Sequence, residues 1–268
     1  MSDKPYINTV TIDGHDVLFV DGIFDLTNCD GKQYGPEEYE THPLSGLKEL
    51  DLPRYGIESI KGLEICTEME VLDLSDNPLG EIPHFPDVFG LKMLVLNGIN
   101  VVKIRGLDML KNLQHLEISA NNIQKIEGLH ELKELRHLFL GENKIEKIKG
   151  LNNLNHLQTL SLSHNKIQKI ENLNHLKNLK NLYLNHNRIT KIEGLENLEK
   201  LERLSLNNNK IEAIQGIGNL ENLKFLLIEW NRIPWYVVHE ELGGYGEHNL
   251  INAQLAVKYC KKKEQERP

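Results

Sequence analysis

The sequence predicts an α/β solenoid, with a curved parallel sheet lining its concave face, turns and short helices on its convex side, and a cap at each end. Three observations carry that prediction. The apolar framework L-x-x-L-x-I-x-x-N-x-I-x-x-I-x-G-L-x-x-L starts at Leu113 and restarts without insertion at Leu135, Leu157, Leu179 and Leu201, a period of 22 residues. The same frame extends back to Leu91, Met69 and Leu47 and forward to Leu223, reaching Asn231 and Ile233. A fixed period of this length marks stacked supersecondary units, each of which buries its apolar edge only against its neighbours.

Each unit divides into two halves. Around Leu116-Glu117-Ile118, apolar and polar residues alternate with the period of a strand. Leu116 and Ile118 are expected to point inward, with His115, Glu117 and Ser119 outward. The second half, I-x-x-I-x-G-L-x-x-L, should return as turns or short helix. A glycine at 106, 128, 150, 194 or 216 permits the bend. A back wider than the strand side makes the stack curve.

Asn77, Asn121, Asn143, Asn165, Asn187, Asn209 and Asn231 form one column where the chain leaves the strand. A carboxamide buried there can bond backbone groups that would otherwise cost about 1–3 kcal/mol each if left unpaired. Tyr55 and Ile99 interrupt the column. Asn97 and Asn100 flank Ile99, so a local rearrangement is expected there. Pro78, Pro83 and Pro86 forbid a regular helix on the convex side of the second rung.

The boundaries follow from the frame: residues 1–46 are an amino-terminal cap, 47–233 hold eight full repeats and a partial ninth, and 234–268 are a carboxy-terminal cap and tail. The first cap reads as strands from Ile7 to Ile12 and from Val17 to Val20, joined by a hairpin turn at Asp13-Gly14-His15-Asp16. Asp21-Gly22 signals a second turn, and Tyr34-Gly35-Pro36 a loop. At the other end Pro234 stops the repeat. Leu250, Ala253, Val257 and Cys260 then recur at helical spacing, so a terminal helix should cover the last rung.

Composition bounds the function. The net charge of −8 disfavours a general nucleic-acid-binding role. The polar start lacks the apolar stretch of a secretory signal, no run reaches the ~18 apolar residues of a membrane span, and a cytoplasmic setting is expected. Cys29, Cys66 and Cys260 are too few and too far apart for a disulfide framework. Cys66 stands where other repeats place a core leucine. No nucleophile with a base and an orienting group, phosphate loop or zinc spacing occurs, so neither catalysis nor a cofactor is expected.

The unit resembles the leucine-rich repeat, in its 22-residue subclass typified by a regulatory subunit of protein phosphatase 1, over residues 47–233. That subclass also includes a spliceosomal protein, a dynein light chain and bacterial internalins. What the resemblance implies is binding of another protein by the concave face.

The outward strand positions therefore form the candidate surface. Asp51, Asp73, Glu117, Phe139, Tyr183 and Leu227 lie in its middle column, His115, His137, Arg203 and Phe225 in the column before, and Glu229 in the column after, with Trp230 next to it. Large aromatics among polar residues are the usual anchors of protein interfaces; for Phe225 and Trp230 the alternative is burial under the terminal helix. The carboxylates Asp51, Asp73 and Glu117 favour a partner with basic patches, mainly through steering and specificity. A monomer is expected before the partner binds. Phosphatase-regulating members of the subclass use acids and aromatics on this face, and Glu117, Phe139, Tyr183 and Glu229-Trp230 are partly similar to them. Ser161 and Ser205 are not.

Two further patterns compete for a role. His115 with His137, and His164 with His186, stand one rung apart, but no third ligand is placed for a metal. Lys144, Lys166, Arg188, Lys210 and Arg232 form one cationic row, and Lys103, Lys125, Lys147, Lys169 and Lys191 another. These rows offer an alternative function, the binding of acidic or membrane-surface ligands. Asp13, Asp16, Asp21, Asp25 and Asp30 lack the spacing of a calcium loop and read as turn chemistry.

Overall fold

A computed structural model describes residues 7–12, 15–20, 23–29, 32–33, 36–85, 90–243 and 252–266. Its body is a nine-stranded sheet in which every neighbouring pair is parallel. Strand β5 (Glu49–Asp51) opens it, followed by β7 (Val71–Asp73), β8 (Met93–Val95), β9 (His115–Glu117) and β10 (His137–Phe139). Then come β11 (Thr159–Ser161), β12 (Asn181–Tyr183), β13 (Arg203–Ser205) and β14 (Phe225–Leu227). Pairing runs in unbroken 22-residue register: Leu138 faces Leu116 on one side and Leu160 on the other.

One continuous core lies behind the sheet. Leu116, Ile118, Ile123, Leu129, Leu132 and Leu135 of one rung are all at least 99 % buried, and their counterparts in neighbouring rungs stack on them. On the convex side the chain returns in turns with no helix between residues 90 and 233 among the described residues, where turns or short helix were the expectation. The returning glycines explain the tightness. Gly150 has φ +80°, and a Cβ there would lie 2.1 Å from the carbonyl oxygen of Ile126. Asn172 occupies the same column at φ 60° and tolerates it because its Nδ2 donates to the Ile148 carbonyl, 2.7 Å away.

The asparagine column forms a ladder inside this body. Asn165 Oδ1 accepts from the Ile145 N–H at 2.9 Å, and its Nδ2 donates to the carbonyls of Leu140, Leu162 and Ser163 at 2.9–3.2 Å. The pattern of one N–H accepted and carbonyls of two rungs satisfied recurs at Asn77, Asn143, Asn187, Asn209 and Asn231. Asn121 joins the Val101 N–H to the Leu96 and Ser119 carbonyls in the same way. Where Ile99 replaces asparagine, its side chain is fully buried and its carbonyl accepts from the Gly80 N–H at 2.9 Å. In regular rungs the corresponding bond runs the opposite way, from Lys144 N–H back to Ile123, so the rearrangement is real and local.

The amino-terminal cap is an antiparallel sheet of β1 (Ile7–Ile12), β2 (His15–Val20), β3 (Ile23–Cys29) and β4 (Lys32–Gln33). β2 begins at His15, so His15 and Asp16 are strand residues rather than turn, with Ile12 paired to His15. Asp13, Gly14, Asp21, Gly22, Asp30, Tyr34 and Gly35 lie outside the described residues. Of the expected Tyr34-Gly35-Pro36 loop only Pro36 is described, and it begins a 3-10 helix, Pro36–Thr41. β6 (Ser59–Lys61), on the convex side of the first rung, pairs in parallel with β3 and welds the cap to the solenoid.

At the far end α1 (Ala253–Gln265) is capped by the Asn252 side chain, which accepts from the Leu255 N–H at 3.1 Å. Its buried side, Ala253, Ala256, Val257 and Cys260, closes the core. Cys260 Sγ donates to the Ile214 carbonyl, and Gln254 Nε2 to those of Glu221 and Leu223. The helix therefore sits against the convex stretch from Ile214 to Leu223. Leu250 lies outside the described residues. A single π-helical turn, Val237–Glu241, precedes the helix and buries Val237 and Val238.

Candidate functional site

The outward face of the sheet is built by three residues per rung, and adjacent rungs lie ~4.8 Å apart, so nine strands span roughly 40 Å. Its most structured part is on β9 and β10. His115 Nε2 lies 2.7 Å from Glu117 Oε1, and Asn97 Nδ2 donates to Glu117 Oε2 at 3.0 Å. The His115 ring stands 5.3 Å from that of Phe139 and 5.6 Å from that of His137, centroid to centroid. Four side chains from two strands thus form one contiguous patch.

Its electrostatics follow from these contacts. The hydrogen bond from His115 holds the Glu117 carboxyl below its ordinary range; partial burial opposes this, and the Asn97 amide assists. Burial lowers the pKa of His137, and the neighbouring His115 and Arg136 lower it further. The patch presents the Glu117 carboxyl group, two histidine rings and a phenyl ring, all half-buried.

Other candidate residues are distributed along the same face. Tyr183 is half-buried on β12, separated from Phe139 by Ser161 in the register Phe139–Ser161–Tyr183. Arg203 lies over the Phe225 ring at 4.3 Å, a cation–π contact that leaves Phe225 37 % exposed. Leu227 and Glu229 are half-buried, Asp51 is exposed, and Asp73 Oδ1 accepts from the Ser75 N–H at 2.8 Å. Asp51 and Asp73 are register partners across β5 and β7, three and two strands away from β9 of the His115 patch.

Trp230 requires a correction. It does not share the sheet face, nor does it tuck under the terminal helix: it is 75 % exposed and has φ 55°. It ends a column of left-handed residues, Arg54, Asp76, Gly98, Ala120, Glu142, His164, His186 and Asn208 being the others. The conformation aims the backbone N–H at the next rung, as Ala120 N–H does at the Gly141 carbonyl and His164 N–H at that of Asn185. A side chain here costs about 1 kcal/mol, which that bond offsets. Trp230 stands at the end of that column, and Trp235 and Tyr236, which follow in sequence, are exposed as well.

Sequence reasoning passed over Asn97 and Asn185 as site residues. Asn97 orients Glu117 and accepts from the Ser119 N–H, while Asn185 Oδ1 accepts from Ser163 and Ser205 hydroxyls in the rungs on either side. The signal was the recurrence of asparagine at positions 97, 185 and 207 in the column after each strand. His164 and His186 stack at 4.0 Å with rings 13° from parallel; they belong to the left-handed column, away from His115. Among the described residues no three His, Cys, Asp or Glu side chains converge as a metal site would require. Burial pushes the Cys66 thiol up to about 12, so it is a core residue and a poor nucleophile.

Comparison with known proteins places this geometry. The family model for leucine-rich repeats in two copies matches residues 111–153, 133–175, 155–197 and 177–219, and a single leucine-rich-repeat model matches 68–88. Over 82 residues the chain is 32 % identical to acidic leucine-rich nuclear phosphoprotein 32-related protein 2 of Caenorhabditis elegans, an alignment covering 28 % of this chain and 36 % of that protein. The chain thus spans about a third of the length of that relative. Among solved structures, internalin C2 of Listeria monocytogenes superposes with a TM-score of 0.62 at 25 % identity, covering 69 % of this chain and 82 % of that one. A leucine-rich-repeat protein of Leptospira interrogans gives 0.63 at 28 % identity, covering 75 % and 58 %. No helix among the described residues is long and apolar enough to cross a membrane. The chain carries leucine-rich repeats and has the parallel-sheet solenoid fold of leucine-rich-repeat proteins.

Proposed function

We propose that this protein is a non-catalytic interaction module, an adaptor or regulatory subunit, that binds a partner protein in its concave groove. The single observation that carries the reading is the patch of His115, Glu117, His137 and Phe139, in which an aromatic anchor and a fixed carboxylate share a rigid sheet. Side chains held by their neighbours lose little entropy on binding, and aromatics in such settings contribute about 2 kcal/mol or more each. The carboxylates select a partner segment with basic groups. The free protein is a monomer acting in the cytoplasm, with no cofactor.

Affinity capture with the wild type and with the Phe139→Ala/Tyr183→Ala variant tests this. A protein retained by the first and lost by the second supports the groove. A partner held equally by both removes the groove from the function.

The sharper form of the proposal is that the partner is the catalytic subunit of a Ser/Thr protein phosphatase, as in the 22-residue subclass. The acid–aromatic arrangement of Glu117, Phe139 and Tyr183, with exposed Trp230 beside Glu229, favours it. Direct titration with that catalytic subunit decides. Binding that weakens at least about tenfold on Phe139→Ala supports it, and the absence of binding discards it.

A further inference from the structure

The chain handles charge differently on its two flanks. On the stretch that leads into the strands, opposite charges meet across adjacent rungs at two places, Lys92 with Glu70 at 2.8 Å and Lys224 with Glu202 at 2.7 Å. On the stretch between the asparagine turn and the glycine turn, cation is stacked on cation. The row from Lys103 to Lys191 has a lysine in five successive rungs, and the row from Lys144 to Arg232 has a lysine or arginine in five. Of these ten, among the described residues, only Arg232 has a carboxylate within 4 Å, Glu212 at 3.9 Å. Glu127 and Glu146 border the same shallow depression as Lys125 and Lys147 yet form no ion pair with them.

Like charges repeated in register repel one another, and a protein of net charge −8 has ample carboxylates to neutralise them. Leaving the rows unpaired concentrates positive potential along a line on an otherwise acidic molecule. We infer that this flank is a second binding surface, for an extended acidic polypeptide segment laid along the solenoid axis. In an extended chain every second side chain faces one way, a spacing of ~6.6–7 Å, which flexible lysine stems in successive rungs can meet. Each contact is weak, and the row gains strength by multiplicity.

The middle of the flank does not suit a bilayer. Among the described residues the exposed large apolar side chains are Tyr55, Val102, Met109, Phe225, Trp230, Trp235, Tyr236 and Leu255; Val102 adjoins Lys103 at one end of the rows, and Trp230, Trp235 and Tyr236 lie near Arg232 in sequence at the other. Between those ends, from Lys125 to Lys210, the rows have no exposed large apolar side chain among the described residues to bury in lipid.

The test is fluorescence anisotropy of the full chain with labelled decaglutamate at low salt. A triple reversal, Lys147→Glu/Lys169→Glu/Lys191→Glu, is compared with a control reversal on the opposite flank, Lys177→Glu/Lys180→Glu/Lys200→Glu. All six residues are exposed, and thermal melting checks that both variants fold. The inference expects binding that falls steeply with added salt and weakens at least about tenfold in the first variant while the control changes less than about threefold. No measurable decaglutamate binding, or equal weakening in both variants, overturns it. Binding only to phosphatidylserine/phosphatidylcholine vesicles, or only to a labelled single-stranded DNA, overturns it in favour of that ligand. Phe139→Ala/Tyr183→Ala should leave decaglutamate binding unchanged, so this surface stands or falls apart from the groove.

Discussion

His115 and Glu117 lie on the same side of one three-residue strand and meet at 2.7 Å, imidazole Nε2 to carboxylate Oε1, at the outer face of β9. The contact follows from the pleat, because residues two apart in a strand share a face. It also makes the candidate site sensitive to acid, in two steps of known sign.

His137 has a folded pKa below its ordinary 6.5, so the unfolded chain takes up a proton before the folded one does. Its contribution is unchanged at neutral pH and above, and stability is lost as pH falls through 6.5 and below. Glu117, held below 4.5, adds a second loss as pH falls below that value. Urea unfolding at pH 7.5 and 5.5 should show lower stability at the lower pH, with a smaller difference in His137→Gln. An identical drop in that variant would remove His137 from the account.

Asn143→Ala should destabilise the chain by about 2–4 kcal/mol. It strands the Ile123 N–H and the carbonyls of Ile118, Leu140 and Gly141 in a buried turn. Chemical denaturation measures it, with local hydrogen exchange separating a loss confined to neighbouring rungs from a global one, since solenoids unfold repeat by repeat. A cost below about 0.5 kcal/mol would mean that water replaces the carboxamide.

Glycine substitutions separate backbone conformation from crowding. Gly106 and Gly150 have nearly the same φ, +79° and +80°, but a Cβ on Gly106 meets nothing within 4 Å whereas one on Gly150 would stand 2.1 Å from the Ile126 oxygen. Gly106→Ala should cost about 1 kcal/mol, the left-handed penalty alone, and Gly150→Ala about 2–4 kcal/mol. Equal melting temperatures for the two variants would show that the rungs relax around the added methyl.

Most of the fold was legible because one apolar position in a repeat is read many times over. Leu138 could be misplaced in isolation, but not with Leu116 and Leu160 in the same frame. The cap was less legible: β6 pairs with β3 across more than thirty intervening residues, and no local periodicity announces such a contact. On the site, residue columns were readable and side-chain environment was not. Thr159 and Ser205 point outward yet are buried to 7 % and 6 % exposure, because small side chains sink between larger neighbours. The position of Trp230 was not legible, because the left-handed turn after each strand is a backbone property that side-chain alternation does not reveal. The lysine rows were visible as residues, but their lack of partners is a property of three dimensions.

Photocrosslinking from the groove floor tests whether the partner lies in the groove. Ser161, between Phe139 and Tyr183 in the sheet register, is replaced by p-benzoylphenylalanine. A second protein carries the same replacement at Asn153 on the outer flank, where the side chain is exposed. The account predicts a crosslinked partner from position 161, lost in the Phe139→Ala background, and none from position 153. A crosslink from 153 with none from 161 would contradict it.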